Sequence, residues 1–155
     1  MPISVDDPAE VSVVSDSLIR VAIPAEERHL ALIGAVVRHF CEPLTGFGED
    51  DRYNLELAVD EAVANVIEHA YAAGMPAEIR RVEITLKADG DRVTVEVRDW
   101  GKSFSPEAVP APDLDQAQEH GYGLFLMRSL VDGLEFRADA TEGNTVTLVK
   151  GYHHA

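Results

Sequence analysis

Two runs of alternating apolar residues around a short turn constrain the fold of this chain most strongly. The apolar positions are Val82, Ile84 and Leu86 before the turn and Val93, Val95 and Val97 after it. Alternation with a period of two is typical of a strand with one buried face, and Asp89-Gly90 between the runs favours a hairpin. With Asp89 and Gly90 as the turn residues, Leu86 pairs with Val93, and all six apolar side chains share one face.

The remaining elements follow from periodicity and from helix-start signals. A strand is predicted over 17–23, and a helix is predicted from Pro24 to about Cys41. Apolar spacing predicts a second helix over 49–71 and a third over 122–131, followed by strands around 134–138 and 146–148. This order predicts an α+β two-layer sandwich, in which a largely antiparallel or mixed sheet is covered on one face by about three helices.

Length and charge limit the classes of protein to consider. The 155 residues suit one domain, predicted over 17–152, and residues 1–16 are expected to be an irregular tail or a poorly defined edge strand. A net charge of −15 repels phosphate backbones, so direct binding to nucleic acid is not expected. No apolar run is long enough to cross a bilayer and no signal peptide is recognisable, so a cytoplasmic protein without membrane contact is predicted.

The second predicted helix carries two polar residues that could take part in catalysis or in metal binding. Glu61 and Asn65 are four residues apart and therefore share one helix face, away from the apolar stripe. A carboxylate there could accept a proton from a nucleophile, and the amide oxygen could bind Mg²⁺. The alternative is a solvated polar face. His69, one turn further on, could equally cap or pack.

Asp99 is the second candidate. It continues the inward series of the hairpin, so its carboxylate should lie at the end of the apolar face and would need a hydrogen-bond donor there. The donor could be an exocyclic amino group such as that of adenine, with Gly101 allowing the backbone close to the base. It could instead be Arg80, which lies opposite Asp99 in the predicted register.

The third candidate is the segment from Gly121 through Tyr122 and Gly123 to Leu124, directly before an apolar helix. Such a start presents free backbone N–H groups to phosphates. Residues 103–120 contain three prolines and several acids but no lysine or arginine, which favours a mobile lid. Phosphate charge would then be met by Mg²⁺, by these amides, and by Lys102 or Arg128.

Taken together, the three motifs resemble the N, G1 and G2 boxes of the GHKL ATPase superfamily, in the same order and at matching intervals. The motifs are Glu61-Ala-Val-Ala-Asn65, Asp99-Trp-Gly101 and Gly121-Tyr-Gly123-Leu-Phe-Leu-Met127. The extended string 61–71, the short lid and the ending Gly143-Asn-Thr-Val-Thr-Leu look like the anti-sigma factor serine kinases of bacteria. The resemblance covers roughly residues 17–150 and implies the Bergerat ATP-binding fold.

The resemblance also implies a role for each matching residue. Glu61 would be the catalytic base, Asn65 would ligate Mg²⁺, and Asp99 would bind the adenine amino group. The other implied nucleotide-binding residues are Gly101, Phe104, Gly121, Tyr122, Gly123 and Leu124. The second glycine of the G1 box is Ser103 in this chain, although Phe104, two residues before Pro106, looks like the variant of the anti-sigma kinase branch.

The implied activity is ATP- and Mg²⁺-dependent phosphorylation of a serine on an anti-anti-sigma partner, alternating with sequestration of a sigma factor. A homodimer is left open. The alternative function is a nucleotide-gated binding switch that holds a partner without phosphorylating it, since nucleotide affinity and transfer rate are separable. An interaction domain that binds no nucleotide is a third reading.

Overall fold

The protein was analysed as a computed structural model, which describes residues 10–15, 18–103, 105–106 and 122–152. The strands are β1 Glu10–Ser15, β2 Leu18–Pro24, β3 Arg81–Asp89, β4 Arg92–Asp99, β5 Gly133–Asp139 and β6 Gly143–Gly151. The α-helices are α1 Leu30–Cys41, α2 Glu49–Asn65 and α3 Tyr122–Leu130. Short helical turns cover Glu27–His29 and Ala77–Ile79, and a π-helical turn, Val66–Ala70, continues α2.

The six strands form one sheet in the order β1-β2-β3-β4-β6-β5, and each neighbouring pair is antiparallel. Alternate residues of β4, from Val93 to Asp99, are buried, whereas Thr94, Glu96 and Arg98 lie on the opposite, more open face. The buried face packs against the helices, with α2 between α1 and α3. The predicted α+β sandwich, with helices on one face, is confirmed.

The predicted hairpin forms, but its register differs from the prediction by two residues. Asp89 pairs with Arg92, so the turn residues are Gly90 and Asp91, and Leu86 pairs with Val95. A shift of two leaves every side chain on the same face, because the side-chain period of a strand is also two. Alternation alone cannot distinguish these two registers, so the predicted face is right and the predicted pairs are wrong.

The N-terminal segment, predicted over 1–16 as an irregular tail or a poorly defined edge strand, contains a strand. Residues Glu10–Ser15 pair antiparallel with β2 at the edge of the sheet, so the edge-strand alternative holds for this stretch. The pairing is irregular between Val13 and Ser15, which interrupts the alternation that would have revealed a strand. Residues 1–9 and 16 lie outside the described residues.

Two helix boundaries also differ from the predictions. Pro24 does not open a helix but ends β2, opposite Arg81, and α1 begins only at Leu30 after a short 3-10 turn. Proline lacks a backbone N–H and is tolerated at strand ends as well as at helix starts, so its presence did not decide between them. The predicted helix over 49–71 is α-helical to Asn65 and π-helical from Val66 to Ala70.

The core lies between the sheet and the three helices. Its fully buried side chains include Ile33 and Val37 of α1, Leu55 and Val59 of α2, and Met127 of α3. Each buried aliphatic side chain of this size contributes about 1.5–3 kcal/mol through the hydrophobic effect. This packing holds the C-terminal end of α2 against the ends of β4 and β6. Over the described part of the chain, no helix is long and apolar enough to cross a bilayer.

Candidate functional site

A cleft of about 390 Å³ opens between the C-terminal end of α2 and the adjacent ends of β4 and β6. Asn65, the last residue of α2, and Asp99, the last residue of β4, both line it. The described residues that line the rest of the cleft include His69, Met127, Phe136 and Asn144. Two of the three predicted motifs therefore meet at one concave surface, although Asn65 and Asp99 are 34 positions apart in the sequence.

Asp99 is 5% exposed, and its Oδ1 accepts two hydrogen bonds from described residues. The backbone N–H of Gly101 donates to Oδ1 over 2.9 Å, and Nδ2 of Asn144 donates to it over 3.0 Å. Burial raises the pKa of Asp99, while these two hydrogen bonds act in the opposite direction and favour the carboxylate. Oδ2 takes part in neither bond, so a donor in the cleft could reach it.

Arg80 is not the donor that the predicted register offered to Asp99. In the observed register Val82 lies opposite Asp99, and Arg80 lies outside the paired strands. Its Nε is buried and has no hydrogen-bond partner among the described residues. The two-residue change in register is the physical reason, because it moves Arg80 beyond the end of the β3–β4 ladder.

Asn144 is a site residue that sequence reasoning missed. It lies directly opposite Asp99 in the β4–β6 ladder and also donates from Nδ2 to the carbonyl of Gly101 over 3.0 Å. Its Oδ1 accepts a bond of 3.2 Å from the hydroxyl of Ser103. Asn144 thus ties the loop after β4 to β6. The predicted strands around 134–138 and 146–148 leave Asn144 between them, and only the strand order brings it to Asp99.

Gly101 allows the loop after β4 to pack on the π-helical turn that continues α2. A Cβ at this position would overlap the carbonyl group of Ala70. The next residue, Lys102, donates its backbone N–H to the same carbonyl oxygen over 2.6 Å. The predicted reason for this glycine was a close approach to a base. In the structure, the position that a Cβ would take lies against Ala70 instead. Gly101 is not among the described residues that line the 390 Å³ cleft.

The start of α3 packs on the polar face of α2. A Cβ on Gly123 would lie 2.8 Å from Oε2 of Glu61 and 3.7 Å from Oδ1 of Asn65. Glu61 and Asn65 therefore share one face of α2, as their four-residue spacing predicted, and this face meets the start of α3. Of the two, only Asn65 is among the described residues that line the cleft. Tyr122 is half-buried, and Leu124 packs its side chain into the core, so a ligand could meet Leu124 only through its backbone.

The predicted lid and two predicted site residues fall largely outside the described chain. Phe104, Gly121 and residues 107–120 lie outside the described residues. Of the cations suggested for phosphate, Lys102 lines the cleft, and Arg128 does not appear among the described lining residues. Arg137 of β5 lines the cleft as well, which the sequence did not indicate. Although the net charge of the chain is −15, these two basic side chains line the cleft and could attract an anionic ligand.

Residues 23–150 match a protein family described as the histidine kinase-like ATPase domain. The chain belongs to this family. The resemblance drawn from the three motifs is thereby confirmed, and Asn65, Asp99 and Gly123 all fall within the matched residues of this ATPase-family domain.

Relatives of this ATPase-family domain are serine-protein kinases. It is 31% identical over 135 residues to the serine-protein kinase RsbW of Bacillus licheniformis, which covers 82% of this chain and 81% of the relative. It is 29% identical over 140 residues to the serine-protein kinase RsbW of Staphylococcus epidermidis, covering 85% of both chains. The matched ATPase family and the serine-protein kinases among its relatives thus agree with the anti-sigma factor serine kinase branch that the sequence resembles.

A solved structure of similar fold contains RsbU and RsbW domains of a Mycobacterium tuberculosis protein. The TM-score is 0.62 at 20% identity, and the match covers 88% of this chain and 33% of that one. The ATPase-family domain therefore spans about a third of the solved chain. At this identity the similarity supports the fold alone.

Proposed function

We propose that this protein is an anti-sigma factor and an ATP- and Mg²⁺-dependent serine kinase that phosphorylates an anti-anti-sigma partner. The observation that carries the proposal is that Asn65 and Asp99 line one cleft, and that Glu61 and Gly123 lie next to Asn65. Relatives named serine-protein kinases, at 29–31% identity over most of the chain, support the same activity.

The adenine end of the nucleotide is assigned to Asp99. An ionised carboxylate only accepts hydrogen bonds, so it selects a base that presents an amino group. Gly101 and Asn144 both donate to Oδ1, which holds the carboxylate in one orientation and leaves Oδ2 for the ligand. The apolar side chains of Met127 and Phe136, which also line the cleft, suit the faces of a purine ring.

The phosphate end is assigned to Asn65 and to the start of α3. Within the described residues, no group of three or more His, Cys, Asp or Glu side chains could hold a metal ion. The amide oxygen of Asn65 fits Mg²⁺, which typically binds through few protein ligands together with phosphate oxygens and water. When bound, Mg²⁺ would neutralise phosphate charge. The absence of a side chain on Gly123 keeps the backbone of α3 close to Glu61 and Asn65.

Glu61 is assigned as the general base. Its carboxylate accepts the proton of the serine hydroxyl as the serine oxygen forms a bond to the γ-phosphorus. The bond from that phosphorus to the bridging oxygen breaks, and ADP leaves with the electron pair. Positioning supplies most of the rate in such reactions, so the contact between Glu61 and the start of α3 matters.

The regulatory role places the protein with transcription regulators in the cytoplasm, where sigma factors act. The sigma factor and the anti-anti-sigma protein would be alternative partners, and phosphorylation of the second would leave the first bound. A homodimer would carry two such sites.

The direct test is transfer of labelled phosphate from ATP, with Mg²⁺, to purified candidate anti-anti-sigma proteins. We expect a labelled serine with wild type and none with Glu61→Ala. The same transfer is expected from Glu135→Ala, which changes an exposed acid on β5. Calorimetry should show that Asn65→Ala loses Mg²⁺-dependent ATP affinity, while Glu61→Ala largely keeps it.

Equal labelling by wild type and Glu61→Ala would overturn the catalytic assignment. ATP-dependent capture of the partner with every serine unmodified would instead favour a nucleotide-gated binding switch. No calorimetric response to ATP, together with no effect of Asp99→Asn, would indicate an interaction domain that does not use nucleotide.

A further inference from the structure

Tyr71 directly follows the π-helical turn that ends at Ala70, and Ala70 lines the cleft. Its backbone is extended, with φ −118° and ψ 124°, so the chain leaves the helix at this residue. The side chain is half-buried and packs against the core. None of the roles assigned above uses this side chain.

The hydroxyl of Tyr71 bridges two strand ends. It accepts a hydrogen bond of 2.9 Å from the backbone N–H of Trp100 and donates one of 2.6 Å to the carbonyl of Arg81. Both partners are backbone groups, one just beyond β4 and one at the start of β3. A single hydroxyl thus satisfies a donor and an acceptor that would otherwise need each other or water.

This bridge lies where the next rung of the β3–β4 ladder would form. The β3–β4 ladder ends where Val82 pairs with Asp99, and the next pair in the same register would be Arg81 with Trp100. Directly opposed residues in an antiparallel ladder exchange N–H and C=O groups at every second pair. The hydroxyl therefore bonds to the two groups that a direct rung between Trp100 and Arg81 would join.

Beyond Asp99 the chain contacts the π-helical turn and no longer continues the ladder with β3. Gly101 packs on the carbonyl of Ala70, which also accepts the N–H of Lys102. The N–H of Gly101 in turn donates to Oδ1 of Asp99. A direct bond between Trp100 and Arg81 would draw this segment toward β3 and away from Ala70, and the donor that orients the Asp99 carboxylate would move with it.

We propose that Tyr71 is a positioning residue for nucleotide binding, whose hydroxyl holds the backbone after β4 in the shape that orients Asp99 toward the cleft. The inference rests on the proposed function in so far as Asp99 is taken to receive the base. The hydroxyl does not touch the ligand. It acts through Trp100 and Gly101.

The test is Tyr71→Phe, which removes one oxygen and keeps the ring in the core. Trp100 is the single tryptophan of the chain, and its ring lies 4.0 Å from the guanidinium carbon of Arg81, so its fluorescence reports the position of this segment. Tyr53→Phe is the matched control, because Tyr53 is 61% exposed on α2. Dissociation constants for ATP and for adenosine are measured by calorimetry well below the melting temperature.

We expect Tyr71→Phe to weaken ATP and adenosine binding by the same factor, about tenfold, since one oriented hydrogen-bond network is lost at the base end. The Mg²⁺ dependence of ATP binding should not change. Trp100 emission should shift even without nucleotide, and Tyr53→Phe should match wild type in all three measurements. A role confined to folding would lower the melting temperature and leave both dissociation constants unchanged.

Wild-type affinity for ATP and adenosine in Tyr71→Phe, or unchanged Trp100 emission, would overturn the inference. A wild-type protein that binds no nucleotide would refute the proposed function instead. The emission of Tyr71→Phe without ligand would still decide whether the hydroxyl holds the segment.

Discussion

Replacing Gly123 with alanine should separate catalysis from stability in this protein. The new Cβ would lie 2.8 Å from Oε2 of Glu61, whereas ordinary contacts of this kind begin at 3.4 Å. The atom that must yield is the end of a flexible side chain, so we expect the Glu61 carboxylate to move by about 0.6 Å or more and the helices to stay in place. Asn65, at 3.7 Å, is not displaced.

The expected magnitudes follow from two opposing effects. Displacement of a catalytic group by as much as 1 Å can cost about 100-fold in rate, so a shift of this size should slow phosphate transfer by about 10- to 100-fold. Alanine is favoured over glycine inside a helix by up to about 1 kcal/mol, and Gly123 lies in the first turn of α3, where part of that gain is expected. The free energy of unfolding should therefore stay constant or rise while transfer falls.

The assay compares initial rates of serine labelling at saturating ATP with thermal and urea unfolding of the same samples. Ser129→Ala, a change on the exposed side of α3, is the control and should leave transfer unchanged. Transfer at the wild-type rate by a folded Gly123→Ala protein would refute the assignment of Glu61 as the base. A fall in stability that accounts for the lost activity would show that the backbone, and not Glu61, absorbs the contact.

Two further predictions concern stability. Gly101→Ala should lower the free energy of unfolding by about 1–3 kcal/mol, because its Cβ would overlap the backbone carbonyl of Ala70. In the control Gly90→Ala the new Cβ meets nothing within 4 Å, and the free energy of unfolding should change by less than about 0.5 kcal/mol. Equal urea midpoints for the two variants would contradict this prediction. Burial, followed by the charges of Glu56 and Glu61, raises the pKa of Asp60 from 3.8 to about 6. An acid whose pKa is higher in the folded state destabilises the fold above that pKa, and the effect disappears as the pH falls below the unfolded value. Asp60→Asn should therefore stabilise the protein at pH 8, by about 1 kcal/mol after allowance for solvent screening, and progressively less as the pH falls from 6 toward 4. An equal gain in the free energy of unfolding at pH 4 and pH 8 would contradict the reasoning.

Local periodicity was enough to predict the faces of the elements. Glu61 and Asn65 share a side of α2 because four residues nearly complete one helical turn, and this follows from the spacing alone. The burial of Asp99 follows from the alternation along β4 and survives the two-residue error in register, since a shift of two preserves the face. The order of strands and helices likewise led to the correct fold class.

Contacts between distant segments were decided only by the tertiary structure. Asn144 reaches Asp99 across 45 positions because β6 lies beside β4, and no local pattern encodes that neighbour. The close packing of Gly101 on Ala70, and the hydroxyl of Tyr71 in place of a ladder rung, depend on how three elements meet. A repeating pattern specifies which side of an element is buried, but its partner and register depend on packing over the whole chain, because several registers satisfy the same pattern.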